Sequence, residues 1–377
     1  MKEGWKMVKF EKAIQKVTYT NKINSTLYKS SGNFPIISQE KELISGYWDN
    51  VDDLFIVKKP LVIFGDHTKV VKYVNFDFVL GADGVKILLP TSDFDSKFFY
   101  YYVSSVELRN LGYARHFKLL KEREIPLPPL EEQHRIVSIL DAAFEKIDKL
   151  KANAEENLKN AKALFQQVLA QELKPKEGWV EKKLGEVVES ITDGDHQPPP
   201  KSNKGIPFIT ISSINKEQRS VEWNNTFFVP KEYFDGLKED RKPKRGDILY
   251  TVTGSYGIPV LIDFDIDFCF QRHIAIIRPN PETAYSEFVN YWLLSKYAML
   301  QAEDTATGAA QKTVSLKSLR NFSFDYPLET SEQQRIVQTL DALSEKCRRL
   351  ETIAQQTIRE CDALKRSILR QAFSGEL

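Results

Sequence analysis

EEQHRIVSILDA (Glu131–Ala142) and SEQQRIVQTLDA (Ser331–Ala342) are one phrase written twice, sharing E-Q-x-R-I-V and L-D-A. Outward from it, the echo runs through the chain in order. KEGW at Lys2–Trp5 recurs at Lys176–Trp179, and Phe10, Ile14 and Val17 correspond to Leu184, Val188 and Ile191. FPIIS (Phe34–Ser38) echoes IPFIT (Ile206–Thr210), and Asp77–Phe78 echoes Asp267–Phe268. KILLP (Lys86–Pro90) matches AIIRP (Ala275–Pro279), and SKFFYYYVSS (Ser96–Ser105) matches SEFVNYWLLS (Ser286–Ser295). The offset drifts from 174 to 200, so the second copy carries about 26 extra residues, most of them ahead of Asp267. A period this long excludes a solenoid. It describes two copies of a domain plus a helix, related by a pseudo-two-fold.

Within each copy the texture changes once. PLVIFGD, FDFVLG, IPFITISSI, DILYTVTG and HIAIIRP read as strands punctuated by Gly, Asn and Asp. Short helices are expected after KEGW and over the aromatic segments Phe98–Tyr102 and Phe288–Trp292, whose rings read as helix core. Trp5 and Trp179 are expected to pack the first helix onto the sheet. Behind each front part, apolar or small residues recur with heptad rhythm: Ile136, Leu140, Ala143, Ile147, Leu150, Ala154, Ala161, Leu164 and Val168. The second copy repeats this with Ile336, Leu340, Leu343, Cys347, Leu350, Ala354, Cys361, Leu364 and Ile368. The skipped positions, Asn157 and Thr357, are polar, as register-setting core residues are. Residues 136–173 make a helix about 57 Å long at ~1.5 Å per residue, and so narrow a seam needs a partner of equal length. The fold expected is α+β: two pseudo-repeated α/β domains (1–130 and 176–330) joined by two long helices (131–175 and 331–377) in an antiparallel coiled coil, with the domains at opposite ends of a rod.

Composition narrows the function. The 377 residues are 42% hydrophobic, too many for a disordered chain, and Lys+Arg 53 against Asp+Glu 52 leaves a net charge of +1. Any nucleic-acid surface must therefore be local. Cys269, Cys347 and Cys361 lack metal or disulfide spacing and suit a reducing, cytoplasmic setting. MKEGWKMVKF has no apolar leader core and no apolar run reaches membrane length, so neither secretion nor a membrane partner is expected. There is no P-loop, no G-x-G-x-x-G, no methyltransferase N-P-P-[FY] loop and no H-E-x-x-H, so no catalytic, metal or cofactor residue is expected in this chain. GDH at Gly65–His67 and at Gly194–His196 falls at non-equivalent repeat positions and reads as turns.

What remains are polar, basic and aromatic loops. The first copy offers His67, Thr68, Lys69, Lys72 and Tyr73, then Arg109, Tyr113, Arg115, His116 and Lys118. The second offers His196, Lys201, Lys204, Lys242, Lys244, Arg245, Thr253, Ser255, Tyr256, Gln271, Arg272, His273, Gln311 and Lys312. Arg, Lys and Gln are what base-edge and phosphate readout requires. The same composition also describes solvated charged loops, the DRKPKR run above all, because Glu239 and Asp240 adjoin it. For Glu132, Gln133, Arg135 and Glu332, Gln333, Arg335 two readings stay open, a charged helix start and a docking surface. Three functions compete: a non-catalytic DNA-recognition subunit, a coiled-coil scaffold whose globular ends bind proteins, and an enzyme with unrecognised motifs.

PLPPLEEQHRIVSILD (Pro126–Asp141), PLETSEQQRIVQTLD (Pro327–Asp341), the ending LRQAFSGEL (Leu369–Leu377), TVTGSYG and FQRHIAIIRP together resemble the specificity (S) subunit of type I restriction–modification systems. The resemblance covers essentially the whole chain. It implies two target recognition domains, each reading one half of a bipartite site in double-stranded DNA. The helices would act as spacer and as dock for two methyltransferase subunits. S-adenosylmethionine would belong to those partners, and ATP and Mg to restriction subunits where present. Where the second copy has TGSYG, the first has IFGDHTKVVKY, so the halves are expected to read different sequences. A rod of about 57 Å bounds their separation at roughly 17 base pairs.

Overall fold

Strand pairing repeats as the words do. The structure, a computed structural model, describes residues 4–82, 84–112, 114–194 and 196–377. It falls into two units, Met1–Glu156 with Ala354–Leu377, and Asn157–Ile353, so each long helix gives one part to each unit. The first unit holds a four-stranded antiparallel sheet in the order Ile14–Gln15, Val85–Pro90, Leu61–Gly65, Val71–Val74. The second holds its counterpart in the order Val188–Asp193, Ile274–Pro279, Ile248–Thr251, Pro259–Leu261. Parallel pairs also correspond, Phe34–Ile37 with Phe78–Gly81 and Ile206–Ile209 with Cys269–Phe270.

Alternation explains why the central strands are apolar throughout. In Leu61–Gly65, Val62 and Phe64 face the helix Ser96–Ser105 and pack with Phe98 and Phe99, while Leu61 and Ile63 pack with Ile37, Phe78 and Leu80. In the second unit Ile248 and Tyr250 join Phe288 and Trp292, while Leu249 joins Ile209, Phe268 and Phe270. The expected short helices follow KEGW as single turns, Phe10–Ala13 and Leu184–Val187. Trp5 is buried, and the half-buried Trp179 meets Phe288 edge-on at 6.2 Å. HTKVVKY, expected as a loop, is partly the strand Val71–Val74, because the Val70, Lys72, Val74 face turns inward.

Each KEGW segment leads into a strand paired with the one that feeds a long helix: Lys6–Lys9 with Glu124–Leu127, and Trp179–Lys183 with Ser323–Pro327. The helices then run Leu130–Glu172 and Thr330–Ser374. Their antiparallel sense is set inside each unit. In the first, Arg135 Nη2 donates to the Leu377 carbonyl at 2.7 Å, Asp148 meets Lys365, and Lys151 Nζ meets Asp362 at 2.6 Å. In the second, Arg335 meets Glu172 at 2.9 Å and Lys176 meets Glu332 at 3.3 Å.

The seam differs from the heptad expectation. Leu140, Ile147, Ala154, Ala161, Leu340, Cys347, Ala354 and Cys361 are buried, but Leu150, Leu164, Leu350 and Leu364 are 53, 44, 50 and 50% exposed. One seven-residue row is buried along each helix where the heptad pattern called for two. The second stripe lies four residues on rather than three, because the first long helix also packs against the globular part of each unit. Phe144 meets Tyr101 at 5.4 Å, and Phe165 meets Tyr291 at 6.3 Å. That rotation brings the leucine row out to solvent. Asn157, expected in the core, is exposed for the same reason.

The repeated E-Q phrase makes the joint between domain and helix. Gln133 is fully buried; its Oε1 accepts the Asp95 N–H at 2.8 Å, and its Nε2 donates to the carbonyls of Asp93 and Pro128, each at 2.9 Å. Gln333 repeats this, accepting the Tyr285 N–H at 2.8 Å and donating to Thr283 and Pro327, each at 3.0 Å. Two turns on, Asp141 accepts from the Tyr101 hydroxyl at 2.5 Å and pairs with Lys97 at 2.7 Å, and Asp341 accepts from Tyr291 at 2.6 Å. Burial, then the neighbouring carboxylate, pushes both phenols far above their ordinary range.

Two stability outcomes follow. Gln333→Ala strips the amide from the Tyr285 N–H and from the carbonyls of Pro327 and of Thr283, which keeps the Tyr326 hydroxyl, and should cost about 1–3 kcal/mol in urea unfolding. Cys347→Asp places an unpaired charge in the closed row and should cost about 3–5 kcal/mol, whereas Leu350→Asp, on the exposed row, should stay within about 1 kcal/mol of wild type. Equal losses for the two aspartate variants would restore the leucine seam.

Candidate nucleic-acid interface

Four separated segments of the second unit converge because their backbones bond to one another. Val252 N–H donates to the His273 carbonyl, Val314 N–H to Val252 and Gly254 N–H to Lys312, each at 2.9 Å. Gly194 lies so close to Phe270 that a Cβ there would stand 2.0 Å from its carbonyl oxygen, so only glycine fits. Gly254 and Gly257, at φ +73° and +88°, turn the TGSYG loop. Between these segments lies a cleft of about 380 Å³ whose walls include Asp193, His196, Thr253, Arg272, His273 and Gln311.

Five of those six are residues expected from sequence. Asp193 was missed, because a carboxylate at a strand end carries no binding signature; it accepts from His196 Nε2 at 2.8 Å and has Arg241 at 3.6 Å. Arg272 is exposed, and its guanidinium makes no hydrogen bond or ion pair among the described residues. Burial, then the Arg272 charge, holds His273 below the usual imidazole range, so it presents a neutral ring near pH 7. Thr253 is buried, with its hydroxyl 3.3 Å from that of Thr313. Gln311 and Lys312 are exposed, and Gln271 is half-buried beside them in sequence with Arg272. Ser255 and Tyr256 are half-buried in the turn, where the Ser255 carbonyl accepts from Thr251 and Tyr256 packs against the core.

The other basic candidates of this unit stand apart from the cleft walls. Lys201 is exposed and lies over the Phe227 ring at 5.1 Å, and Lys204 is exposed. Lys242, Lys244 and Arg245 are answered by carboxylates: Lys242 meets Glu239 at 2.8 Å, Lys244 meets Glu239 at 3.5 Å, and Arg245 grips Asp265 at 2.9 Å. The DRKPKR run is therefore a neutralised loop rather than an open basic patch.

In the first unit the two expected segments do come together, through the aspartate of the Gly65–His67 turn. Asp66 is buried; its carbonyl accepts from His116 N–H at 2.7 Å and its carboxylate from Phe117 N–H at 2.8 Å. This sets the hairpin tip beside the 109–118 stretch. His116 itself is fully buried and is corrected to a structural tie: Nε2 accepts from Leu111 N–H at 3.2 Å, so Nδ1 donates to Asp66 O at 3.1 Å. Lys72 is likewise corrected, since its buried ammonium donates to the carbonyls of Ser38 and Glu42, and burial lowers its pKa. Thr68 is exposed but its hydroxyl donates to the Gln39 carbonyl, His67 is half-buried, and the half-buried Tyr73 packs on Tyr100 at 5.8 Å. Lys69, at φ +61°, holds the tip, and Arg109, Arg115 and Lys118 are exposed. Tyr113 lies outside the described residues.

Of the six expected docking residues, the two glutamines are corrected, because they are buried. Gln133 and Gln333 are the buried joints already described. Arg135 pairs with Glu132 at 2.6 Å and Arg335 with Glu332 at 2.7 Å, and both arginines reach the opposite helix, so these charges close the helix pair. No group of three or more His, Cys, Asp or Glu among the described residues is placed to hold a metal ion. Among the same residues, no helix is long and apolar enough to cross a membrane.

Comparison with known proteins agrees with this architecture. The family model described as "Type I restriction modification DNA specificity domain" matches twice, over residues 2–160 and 176–360. The specificity subunit of the type I restriction enzyme EcoBI of Escherichia coli is 25% identical, over 89% of this chain and 76% of that protein. That of EcoR124I/EcoR124II, also from Escherichia coli, is 25% identical over 83% of this chain and 80% of its own length. Among solved structures, a chain from work on complex assembly and conformational transition of the type I R-M system matches with a TM-score of 0.71 at 20% identity, covering 100% of this chain and 99% of that one. The HsdS subunit from Thermoanaerobacter tengcongensis matches with a TM-score of 0.52 at 20% identity, covering 100% and 98%; these two likenesses bear on the fold. A twice-matched family model, over units that repeat the same sheets, places this chain in the family of type I restriction–modification DNA specificity subunits.

Proposed function

We propose that this subunit selects a bipartite site in duplex DNA, with residues 1–130 and 176–330 as target recognition domains and 131–175 and 331–377 as spacer helices. The observation that carries the reading is the cleft of the second unit, where an Arg272 with no ion-pair partner among the described residues stands with Gln311 and a neutral His273 on a chain of net charge +1. Arg and Gln offer paired donors and an amide to base edges in a groove. The exposed Arg109, Arg115 and Lys118, with the half-buried Lys69, would serve the first half-site from a differently built tip. With both loops held on the same frame, the two half-sites differ in sequence while their readout geometry stays alike.

Catalysis would lie with partners in the cytoplasm: S-adenosylmethionine on methyltransferase subunits, ATP and Mg on restriction subunits. Two methyltransferase subunits suit the exposed leucine rows. Leu150 and Leu350 are repeat counterparts, as are Leu164 and Leu364, so each unit presents one leucine of each kind, from opposite helices. Two equal apolar faces fit two copies of one partner. The scaffold reading loses its ground with the family assignment.

Methylome sequencing of cells expressing this chain with its methyltransferase should reveal one bipartite motif. Arg272→Ala should then relax one position of one half-site, or slow its methylation about tenfold, the cost of about 1–3 kcal/mol per lost base contact, and leave the other half-site unchanged. An unaltered motif and rate would remove Arg272 from the interface. Leu164→Asp with Leu350→Asp should reduce the methyltransferase bound per chain from two copies to one in native mass spectrometry. A complex that keeps both copies would move the dock elsewhere.

A further inference from the structure

The second unit contains a strained cation that DNA reading leaves unexplained. The hairpin Ile214–Asn215 with Ser220–Val221 is closed by a turn in which Asn215 Oδ1 accepts from the N–H groups of Glu217 and Gln218, at 3.0 and 2.9 Å. Its last residue, Arg219, has φ +52°, a left-handed conformation that non-glycine side chains rarely adopt. Such a residue persists where its surroundings hold it. Here the hold is the first long helix: the Arg219 guanidinium lies 5.7 Å from the centre of the Phe165 ring, which is itself buried against Tyr291.

The hairpin's root is fixed separately. Ile214 belongs to the core formed by Leu249, Val260 and Phe268, and Val221 and Trp223 pack on it. Phe165 belongs to the other core, on the helix-covered face of the same sheet. The hairpin thus starts on one face of the sheet and ends, through one side chain, on the helix packed against the opposite face. Arg219 is half-buried yet makes no hydrogen bond to a carboxylate among the described residues, and Arg348 opposes it while Glu351 favours it. The ring is the contact that places it. In the first unit, the stretch ahead of Trp48 is tied back to its own sheet by Lys72 instead.

We propose that Arg219 is a positioning residue: by capping Phe165 it straps the second recognition domain to the first long helix, and so makes methylation directed by this chain sensitive to the distance between half-sites. The proposal rests on the bipartite reading above. A domain whose orientation on its helix is loosened can follow a half-site displaced along and around the duplex, while its reading loops, which Arg219 does not touch, keep their sequence preference.

The test uses the full chain in complex with its methyltransferase, on duplexes carrying the native spacer or one base pair more or fewer. Arg219→Ala should raise methylation of the off-spacer duplexes relative to the native one by about tenfold, a scale set by how steeply rate depends on placement, with half-site sequences unchanged. Arg219→Lys, which keeps a cation over the ring, should fall between. Phe165→Leu removes the ring but keeps apolar volume, and should reproduce the alanine effect if Arg219→Ala does not fold. A spacer preference identical to wild type in a folded Arg219→Ala or Phe165→Leu complex overturns the strap. A wild-type complex that methylates no bipartite site overturns the recognition reading itself, and the strap with it.

Discussion

A side-chain amide has one acceptor and two donors to offer, and Gln133 and Gln333 each spend all three on backbone at the joint between a recognition domain and a long helix. The amides themselves are fully buried, so leaving their donors or acceptor unmatched would carry the full cost of burial. A carboxylate of the same size could accept but could not donate twice. Two turns further along the same helix face, Asp141 and Asp341 take up Tyr101 and Tyr291. Fixing a helix at two points on one face sets both its direction and its rotation. The domain and the start of its helix therefore act as one lever, and the glutamine of the repeated phrase records a mechanical requirement.

That distinction separates what was legible in the sequence from what was not. The repeat, the strands and the long helices were readable because they depend on local periodicity and on identical framework residues. The seam was half readable. A row of Leu140, Ile147, Ala154 and Ala161 announces itself, but whether the second buried stripe follows at three or four residues depends on where the domain lies against the helix. Phe144 and Phe165 carry that information, and only beside Tyr101 and Tyr291 does it become visible. His116 and Lys72 were misread because polarity was taken for exposure. For Lys72 a signal was present: in V-V-K-Y-V it shares the inward period with Val70 and Val74. For His116 none was, since its role rests on Asp66, fifty residues away.

The near-zero net charge acquires a local meaning in the second unit. Lys242, Lys244 and Arg245 face Glu239 and Asp265, and Arg278 is held by Asp247 at 2.7 Å within the fold. These four cations are spent on the protein's own carboxylates, whereas Arg272 in the cleft wall has no such partner among the described residues. A chain of net charge +1 has little long-range pull on the phosphate backbone, so binding away from the right sequence is weak. Discrimination then depends on short-range contacts, where a wrong base leaves a donor unmatched. On the proposed reading His273 serves the same end: burial and the Arg272 charge hold it below the usual imidazole range, so it would meet a base without adding a sequence-blind charge.

The way the cleft is hung shows how such a subunit can change what it reads without losing its shape. The walls are joined by backbone bonds, Val252 to His273, Gly254 to Lys312 and Val314 to Val252, and none of these depends on the side chain at position 272 or 311. Side chains at those positions are therefore replaceable at little cost to folding. Gly194 and Gly254 are not, because a Cβ at the first collides with the Phe270 carbonyl and the second requires a positive φ. The first unit follows the same rule by other means, since its hairpin tip hangs from the buried Asp66 while Arg109, Arg115 and Lys118 stand free of that tie. On the proposed reading, two differently built edges on one repeated frame would let each half-site be set by its own few exposed residues, while the buried amides hold the levers that carry them.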